Sequence, residues 1–516
     1  MSVSKRKSRE KDLFDILPQA ISAFKKNMIE PFFGENKNAR YNNERPPLRS
    51  ELFTEQQLKQ HAQAISKKHM LISGHPSEQL LKRLAENEKI LLDVHAVLTD
   101  VVTKNERIVP AAEWLLDNFY LIEEQIYIGK KHFPKGYSRG LPQLAKGESA
   151  GLPRVYDIAV EIISHSDGHI DLNNLTGFIT SYQTTTYLKI GELWAFPIML
   201  RLALLENLRR LSIQMVIDIA NKSLAAEWAD KLIDTAENDH KNLVLVIADM
   251  ARSEPPMVSS FVAELARRLQ EKGSSLSLPI NWIEQQLSEN GLTSEELIQQ
   301  ENQKQAAHQV SISNSITSLR FLGSTDWREF VESTSIVEKV LLEDINGVYA
   351  GMDFYTRDHY RHSVEKVAKY SSLSEQQVAT MAIEAAKENA AKNADPRLSH
   401  VGYYLIGKGL LKIQKQAKMK ASKMETCRKI TNRFPLFVFL GGIFLFTAAL
   451  TWGLLAKAYS DGLNNWIALG LLGLVCLVAT SQLATDIINW ITTVLSRPSV
   501  LPKMDFSKGI PERYRT

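Results

Sequence analysis

Two long apolar runs near the end of the chain dominate its pattern of hydrophobic and polar positions. No charged residue lies between Arg433 and Lys457, and none lies between Asp461 and Asp486. Each run is long enough to cross the roughly 30 Å of bilayer hydrocarbon, which takes about 20 helical residues. Neither run has the polar stripe of a helix on a soluble core, so a buried soluble hairpin is the weaker interpretation. We therefore predict a transmembrane hairpin over 431–495, with helices at about 435–456 and 464–485.

Basic residues cluster just before the first apolar run. Nine basic residues and one acidic residue lie between Lys408 and Arg433, whereas the loop between the runs carries only Lys457 and Asp461. Basic residues near the ends of spans stay on the cytoplasmic side, so both ends of the hairpin are expected to face the cytoplasm. The predicted membrane-flanking basic residues are Lys418, Lys420, Lys423, Arg428, Lys429 and Arg433.

The chain before the hairpin follows helical spacing. Leucines recur at helical intervals from Leu80 to Leu98, and no stretch shows the two-residue alternation of a strand. Capping boxes, which mark helix starts, begin at Thr54, Thr293 and Ser374. The predicted fold class is all-α, with a multi-helix cytoplasmic domain followed by a two-helix transmembrane hairpin.

These patterns divide the 516 residues into four parts. A basic tail with a short amphipathic helix and a linker is expected at 1–45. An all-helical cytoplasmic domain follows at 46–430, and then the hairpin at 431–495. A linker is expected at 496–516.

Composition narrows the function. The net charge is only +4, and the basic excess lies where membrane topology needs it, so nothing indicates a nucleic-acid surface. The two cysteines, Cys427 and Cys476, are not placed to form a disulfide. The partner indicated by the sequence itself is a lipid bilayer, which the chain is expected to cross twice.

The sequence carries no recognisable catalytic motif. It contains neither a phosphate-binding glycine loop nor a Gly-x-Ser-x-Gly elbow. His359 and His362 are three residues apart, but no third ligand lies near them in sequence, so no metal site is predicted. No catalytic residue and no cofactor is predicted for this chain.

One acidic stretch stands out. Between Pro110 and Ile126, the carboxylates of Glu113, Asp117 and Glu124 recur at helical intervals along one stripe. One interpretation is a carbohydrate site, because paired carboxylates act as acid and base or nucleophile in glycoside hydrolysis. The other is a solvated or ion-paired face. Adjacent turns of one helix fit the first interpretation poorly, because the two carboxylates must flank the scissile bond.

A counter-charge for this stripe is available. Arg201 lies in the stretch Ile190–Leu211, which is apolar nearly all round and is therefore predicted to be a buried helix. A buried guanidinium needs a carboxylate partner. The candidate buried ion pair therefore joins Arg201 to the acidic stripe, with Glu113 or Asp117 as the expected partner.

Several long strings of sequence carry a resemblance to a known family. They resemble the N-terminal part of bacterial cyclic β-1,2-glucan synthases, and the resemblance extends from about Arg45 onward. The strings are AAEWLLDNFYLIEEQI, LPRVYDIAVEIISHSDG, KIGELWAFPIMLRLALLENLRRL, SNSITSLRFLGSTDWREFVE, GVYAGMDFYTRDHYRHSVEKVA and HVGYYLIGKG.

The resemblance implies an organisation that the chain shares only in part. In that family the helical region leads into a membrane helix pair, followed by a glycosyltransferase domain that uses UDP-glucose. More membrane helices, a cyclising domain and a phosphorylase-like domain come after it. These synthases lie in the bacterial inner membrane, so the resemblance implies that location for this chain. The present sequence ends in a stretch resembling the linker before the transferase and has none of the transferase's acidic motifs, so we expect an N-terminal portion.

Three functions follow as hypotheses. The first is a non-catalytic, membrane-anchored module that scaffolds or regulates the synthase's transferase, which would be supplied in cis or in trans. The second is an autonomous carbohydrate-active enzyme that uses a carboxylate pair. The third is an interaction module with a different partner.

Overall fold

The computed structural model describes residues 46–72, 78–104, 108–270, 276–391, 396–420, 434–495, 501–507, 509–510 and 512. Within these ranges the fold is all-α, as predicted, with nineteen α-helices and only isolated β-bridges. The basic tail at 1–45 lies outside the described residues, as do the flanking residues Lys423, Arg428, Lys429 and Arg433. Lys418 and Lys420 are described.

The helices divide between two compact units, one ending at Ser335 and the other beginning at Ile336. The first unit contains α1 (Glu55–Lys68), α2 (Leu80–Thr103), α3 (Pro110–Asp117), α4 (Phe119–His132), α5 (Arg154–His165), α6 (Leu172–Tyr182), α7 (Ile190–Asn238), α8 (Leu243–Arg252), α9 (Ser259–Gln270), α10 (Ser277–Ser288), α11 (Ser294–Ser324) and α12 (Trp327–Thr334). The second contains α13 (Ile336–Leu341), α14 (Phe354–Lys369), α15 (Glu375–Ala391), α16 (Val401–Leu405), α17 (Leu410–Gln416), α18 (Pro435–Ser460) and α19 (Trp466–Leu495).

The long helix α7 organises the first unit. Its first half is buried nearly all round, and the helices that pack around it are α2, α4, α5, α11 and α12. Its second half, from Ala225 to Leu232, enters a separate hydrophobic core with α8 to α11. One 49-residue helix therefore contributes to two cores.

The predicted helix starts are present. The capping boxes at Thr54 and Thr293 form reciprocal side-chain bonds with the residue three positions on. At Ser374 the same pair of bonds joins the cap to Gln377, at 2.8 and 3.2 Å. These bonds satisfy amide groups that have no partner within the helix.

The helical part of the second unit is built around α15. This helix packs against α13, α14, α16 and α17, and small buried residues such as Ala379 and Ala382 allow the close approach. After α17, the described chain continues to Lys420, whose amide donates to Tyr370 O at 2.8 Å.

The two apolar runs form α18 and α19, which pack against each other. Both are long and apolar enough to cross a membrane. Their outward-facing side chains are not covered by protein: Phe437 is 80% exposed and Trp466 is 84% exposed. Both helices end later than predicted, at Ser460 and Leu495, and α19 begins at Trp466 rather than at 464. The connecting loop is shorter than expected because α18 continues through Ser460. Close contact occurs at Gly442, beside Ile488, and at Gly473, beside Leu455.

Candidate functional site

The segment that follows the membrane hairpin binds back onto the helical part of the second unit. Met352 and Met504 form an isolated antiparallel bridge. The amide of Asp353 donates to Lys503 O at 3.0 Å, and the amide of Asp505 donates to Gly351 O at 2.9 Å. We call the paired segments 349–356 and 501–507 the clamp.

The start of α14 provides a third clamp contact. Asp353 is the N-cap, and its side chain accepts from the amide of Thr356 at 2.9 Å. The Thr356 hydroxyl then accepts from the amide of Lys503 at 3.0 Å. Because capping orients the first helical turn, the position of Thr356 and therefore of the incoming segment is fixed by the helix itself.

A buried charge network supports the helical side of the clamp. Arg361 is fully buried and donates to Glu338 Oε2 at 2.6 Å, while the Tyr349 hydroxyl donates to the same carboxylate at 2.6 Å. Arg357 adds a third bond to Glu338 at 3.3 Å. Burial, together with the charge of Glu338, raises the pKa of Tyr349 far above its ordinary value, so the phenol stays a donor. These bonds tie α13 to the segment that begins the clamp.

A cavity of about 290 Å³ lies beside the clamp. Both clamp segments line it, along with residues of α14, including Tyr355 and His359, and Ile406. The wall contributed by the post-hairpin segment is exposed, with Leu501 77% accessible. The cavity is thus an open recess whose shape depends on the clamp being closed.

The acidic stretch in the first unit lies on two helices rather than one. The chain leaves helical geometry at Asn118, with φ −110° and ψ 13°, between α3 and α4. The Asn118 side chain bonds Trp114 O at 2.8 Å and also accepts from Arg320. The predicted stripe is therefore interrupted. Glu113, Asp117 and Glu124 are all exposed to solvent.

Arg201 is buried, as expected, and its Nε donates to the amide oxygen of Gln125 at 2.7 Å. No ion pair within 4.0 Å joins Arg201 to Glu113, Asp117 or another acid in the described part of the chain. Burial lowers the pKa of Arg201 to about 10, and the charge of Glu124 partly opposes this shift. The groups that the structure brings together are thus Arg201, Gln125 and, at longer range, Glu124.

The first unit contains a denser buried charge cluster that was not predicted from the sequence. Glu206 forms ion pairs with Arg83 at 3.1 Å and with Arg209 and Arg210 at 2.9 Å each. Burial alone raises the pKa of Glu206, but the three guanidinium groups outweigh it and hold that pKa well below its ordinary value. Part of this cluster is visible in the sequence, because Arg209 and Arg210 follow Glu206 at i+3 and i+4 on α7. Arg83 lies 123 residues away, so its participation leaves no local pattern.

A second buried ion pair fixes the start of α7. Arg154, at the beginning of α5, donates to both oxygens of Glu192 at 2.7 Å, and both side chains are buried. Glu192 also accepts from the amide of Lys189 at 2.9 Å. This bidentate pair is a structural joint between α5 and α7.

Taken together, the fold and the clamp define a helical protein that carries a hairpin of two membrane-length helices and binds the segment beyond it. A comparison with known proteins names a relative. Over 437 residues, 84% of this chain, the sequence is 32% identical to the cyclic beta-(1,2)-glucan synthase NdvB of Rhizobium meliloti (strain 1021). The predicted resemblance to cyclic β-1,2-glucan synthases is thereby confirmed.

The match covers only part of that relative. The matched stretch amounts to 15% of the length of the Rhizobium protein. No family model matches the chain.

Proposed function

We propose that this chain is a non-catalytic, membrane-anchored helical module of a cyclic β-1,2-glucan synthase. It fixes the point beside the membrane from which the UDP-glucose-dependent transferase domain begins, whether that domain is supplied in cis or in trans. The clamp carries this proposal. By bonding 501–507 to 349–356, it fixes the position and direction in which the chain leaves the hairpin.

The proposed topology places both ends of the hairpin and the helical units in the cytoplasm of a bacterium, with the loop Asp461–Asn465 on the other side of the inner membrane. Two observations support it. The sequence before α18 is rich in lysine and arginine. In addition, residues on both sides of the hairpin meet in the clamp, which requires an even number of crossings between them.

A disulfide cross-link tests the clamp directly. Met352 and Met504 face each other as a non-hydrogen-bonded antiparallel pair, whose Cα atoms are typically about 4.5 Å apart, within the range that a disulfide spans. In a background with Cys427→Ser and Cys476→Ser, the variant carrying Met352→Cys and Met504→Cys should cross-link in membranes on mild oxidation. The matched control places the second cysteine at Ser507 instead and should cross-link far less.

The cross-link is detected by cutting the chain between its two ends. A protease site inserted between Gly462 and Leu463 yields two fragments, which stay together on a non-reducing gel only if the disulfide has formed. Fragments that separate equally for the test pair and the control pair would show that the clamp is open in the membrane, and the proposal would then lose its support.

The topology has its own test. In the same cysteine-free background, Ser460→Cys is expected to react with a membrane-impermeant thiol reagent in spheroplasts, and Ser507→Cys only after lysis. The reverse pattern would place the helical units on the wrong side for a transferase that uses cytoplasmic UDP-glucose.

The non-catalytic part of the proposal is tested by turnover. Purified chain in detergent should neither release UDP from UDP-glucose nor bind the nucleotide sugar tightly in calorimetry. The exposed, interrupted arrangement of Glu113, Asp117 and Glu124 supports this expectation, because a glycosidase pair must face one scissile bond. Turnover that is abolished by Glu113→Gln or Asp117→Asn would instead favour the autonomous enzyme.

A further inference from the structure

Two histidines and a glutamate converge at the surface of the first unit. His61 lies on α1, while Glu161 and His165 lie one turn apart on α5. The Nε2 atom of His61 is 2.9 Å from Glu161 Oε2, and the Nε2 atom of His165 is 3.6 Å from that oxygen. All three potential ligand atoms lie within 4.8 Å of one another. In a tetrahedral site with bonds of about 2.0–2.1 Å, ligand atoms are roughly 3.3 Å apart, so only small side-chain shifts separate this cluster from a binding geometry.

The ring of His165 is oriented for this role by its surroundings. Its Nδ1 atom lies 2.7 Å from Glu51 O. Because a carbonyl oxygen only accepts, Nδ1 carries the proton and the neutral ring keeps a lone pair on Nε2, on the side of Glu161. Phe53 stacks on the same ring at 3.9 Å with an interplanar angle of 6°. A backbone carbonyl behind a histidine is the usual arrangement beside a bound metal, since it fixes the tautomer and the ring orientation.

The three side chains of the cluster are partly buried but remain open to solvent. The side chain of His165 is 11% exposed, whereas those of His61 and Glu161 are 25% and 32% exposed. An ion can therefore reach the three ligand atoms from solvent, and a fourth position is left for water.

We infer that His61, Glu161 and His165 form a binding site for a divalent transition-metal cation of the zinc type. Two imidazoles and one carboxylate are the ligands that Zn²⁺ accepts in three-ligand sites with an open fourth position. Binding would replace the hydrogen bond between His61 and Glu161 with two metal bonds. It would join α1 to α5 and so strengthen the attachment of these two helices to each other within the first unit.

This site leaves little signature in the local sequence. Only the spacing of Glu161 and His165, four residues apart on one helix, is visible locally. The third ligand, His61, lies 100 residues from Glu161. It comes near only when α1 packs against α6 and brings the His61 side chain to α5.

A second histidine cluster serves as the matched control. His362 contacts Glu365 through Nδ1 at 2.8 Å and Asp358 through Nε2 at 3.3 Å. Its two carboxylates meet opposite nitrogens of one ring, so they cannot share one ion with that ring. Substitution of His362 should therefore leave metal binding unchanged.

The test uses the full chain, purified in detergent through an affinity tag free of histidine and stripped with chelator. Titration with Zn²⁺ alone in a calorimeter should show one tight site per chain. Titration with Co²⁺ alone should give the visible absorption bands of a low-coordinate ion with nitrogen ligands. The variants His61→Gln and Glu161→Gln should each weaken Zn²⁺ binding by about 100-fold or more, exceeding the usual effect of changing an outer-shell partner, while His362→Gln should not.

The substitutions to glutamine preserve size and polarity, so folding can be checked separately. Circular dichroism and the melting temperature in chelator should match the wild type, and added Zn²⁺ should raise the melting temperature of the wild type and of His362→Gln only. The inference is overturned if the wild type binds no stoichiometric Zn²⁺. It is equally overturned if His61→Gln and Glu161→Gln bind Zn²⁺ as the wild type does. Neither result depends on glucan synthesis.

Discussion

The first half of α7 and the membrane hairpin are both long apolar stretches, yet the first is buried by protein and the second is exposed. Phe196 and Leu200 in α7 are completely buried by protein. In the most apolar stretches of α18 and α19, by contrast, only 0% and 11% of the residues are buried. The difference lies in the charged residues. The α7 stretch carries Glu206 and several arginines, whereas the hairpin windows carry none between their flanks.

This contrast shows that the few polar residues of an apolar helix indicate whether it lies in a protein core or in lipid. A charge is tolerated inside a protein only where other parts of the fold bring partners to it, as Arg83 of α2 does for Glu206. Lipid offers no such partner. The stretch of a helix that faces lipid therefore excludes charge, and an apolar helix with paired charges belongs in a protein core.

The largest effect is expected from breaking the charge cluster. Glu206→Ala leaves Arg83, Arg209 and Arg210 buried around a missing anion, and loss of one buried partner costs about 3–5 kcal/mol. The thermal midpoint of the chain in detergent, followed by circular dichroism, should fall by on the order of 10 °C. The control Glu227→Ala removes a half-exposed partner of Lys231 and should change stability by under about 1 kcal/mol.

The same cluster predicts the sign of an acid effect. The folded pKa of Glu206 lies below its ordinary value of about 4.5, so its contribution is complete above that value and is lost as pH falls toward the folded pKa. The wild type should therefore lose more stability than Glu206→Ala when the pH is lowered from 5 to 3. Equal losses in the two proteins would show that the carboxylate is not held ionised by its neighbours.

The next effect is expected from placing a charge in the hairpin. Leu445, near the middle of α18, is 68% exposed, and Leu445→Arg should weaken membrane insertion by about 2.5–3.5 kcal/mol. Insertion is measured by the fraction of chain that resists alkaline extraction. Leu445→Phe is the control and should insert fully. Unchanged insertion of the arginine variant would mean that this face does not meet lipid.

A smaller effect is expected at Arg201, whose described partner is an amide. Arg201→Met together with Gln125→Leu removes the hydrogen bond and the buried charge at once, and such replacements are often neutral or stabilising. The melting temperature should change by no more than the equivalent of about 1 kcal/mol. Arg201→Met alone should be worse by about 1–3 kcal/mol, because it leaves Gln125 without its donor. A large loss in the double variant would indicate that Glu124 or another acid depends on Arg201.

The smallest effect is expected at the polar contact inside the hairpin. Thr451 Oγ1 and Thr480 Oγ1 are 2.8 Å apart and buried between α18 and α19. Thr451→Val keeps the shape and removes the bond, and hydrogen bonds between membrane helices average about 0.6 kcal/mol. The association of the two helices, measured as separate peptides in detergent, should weaken about threefold. Thr492→Val, which changes an exposed hydroxyl bonded to its own helix, should have no effect.

The fold was predictable to the extent that its signals are local. The confirmed signals are each contained in one short stretch of sequence. They are the uncharged runs beyond Arg433 and the capping boxes at Thr54 and Thr293. The break at Asn118 was missed because its partner, Arg320, lies 202 residues away in α11. Without that partner, the spacing from Glu113 to Glu124 fits one continuous helix.

The candidate sites were less predictable because their members come from distant parts of the chain. The burial of Arg201 followed from its apolar neighbours, but which group would meet its Nε depended on the packing of α4 beside α7, and that group is Gln125. The clamp joins residues about 150 positions apart through backbone groups, which leave no pattern of side chains in the sequence. Long-range main-chain pairing of this kind becomes visible only in the folded chain.

The clamp also has a consequence for the order in which the chain can be completed during synthesis. Residues 349–356 leave the ribosome long before 501–507, and both membrane helices are made between them. With the topology proposed above, the clamp can close only after both α18 and α19 have crossed the membrane, because only then does the last segment lie on the same side as α14. Closure is thus a late event that succeeds only for a chain whose hairpin has been inserted in full. A chain with one helix left out of the membrane would have its two clamp segments on opposite sides, and the clamp would stay open.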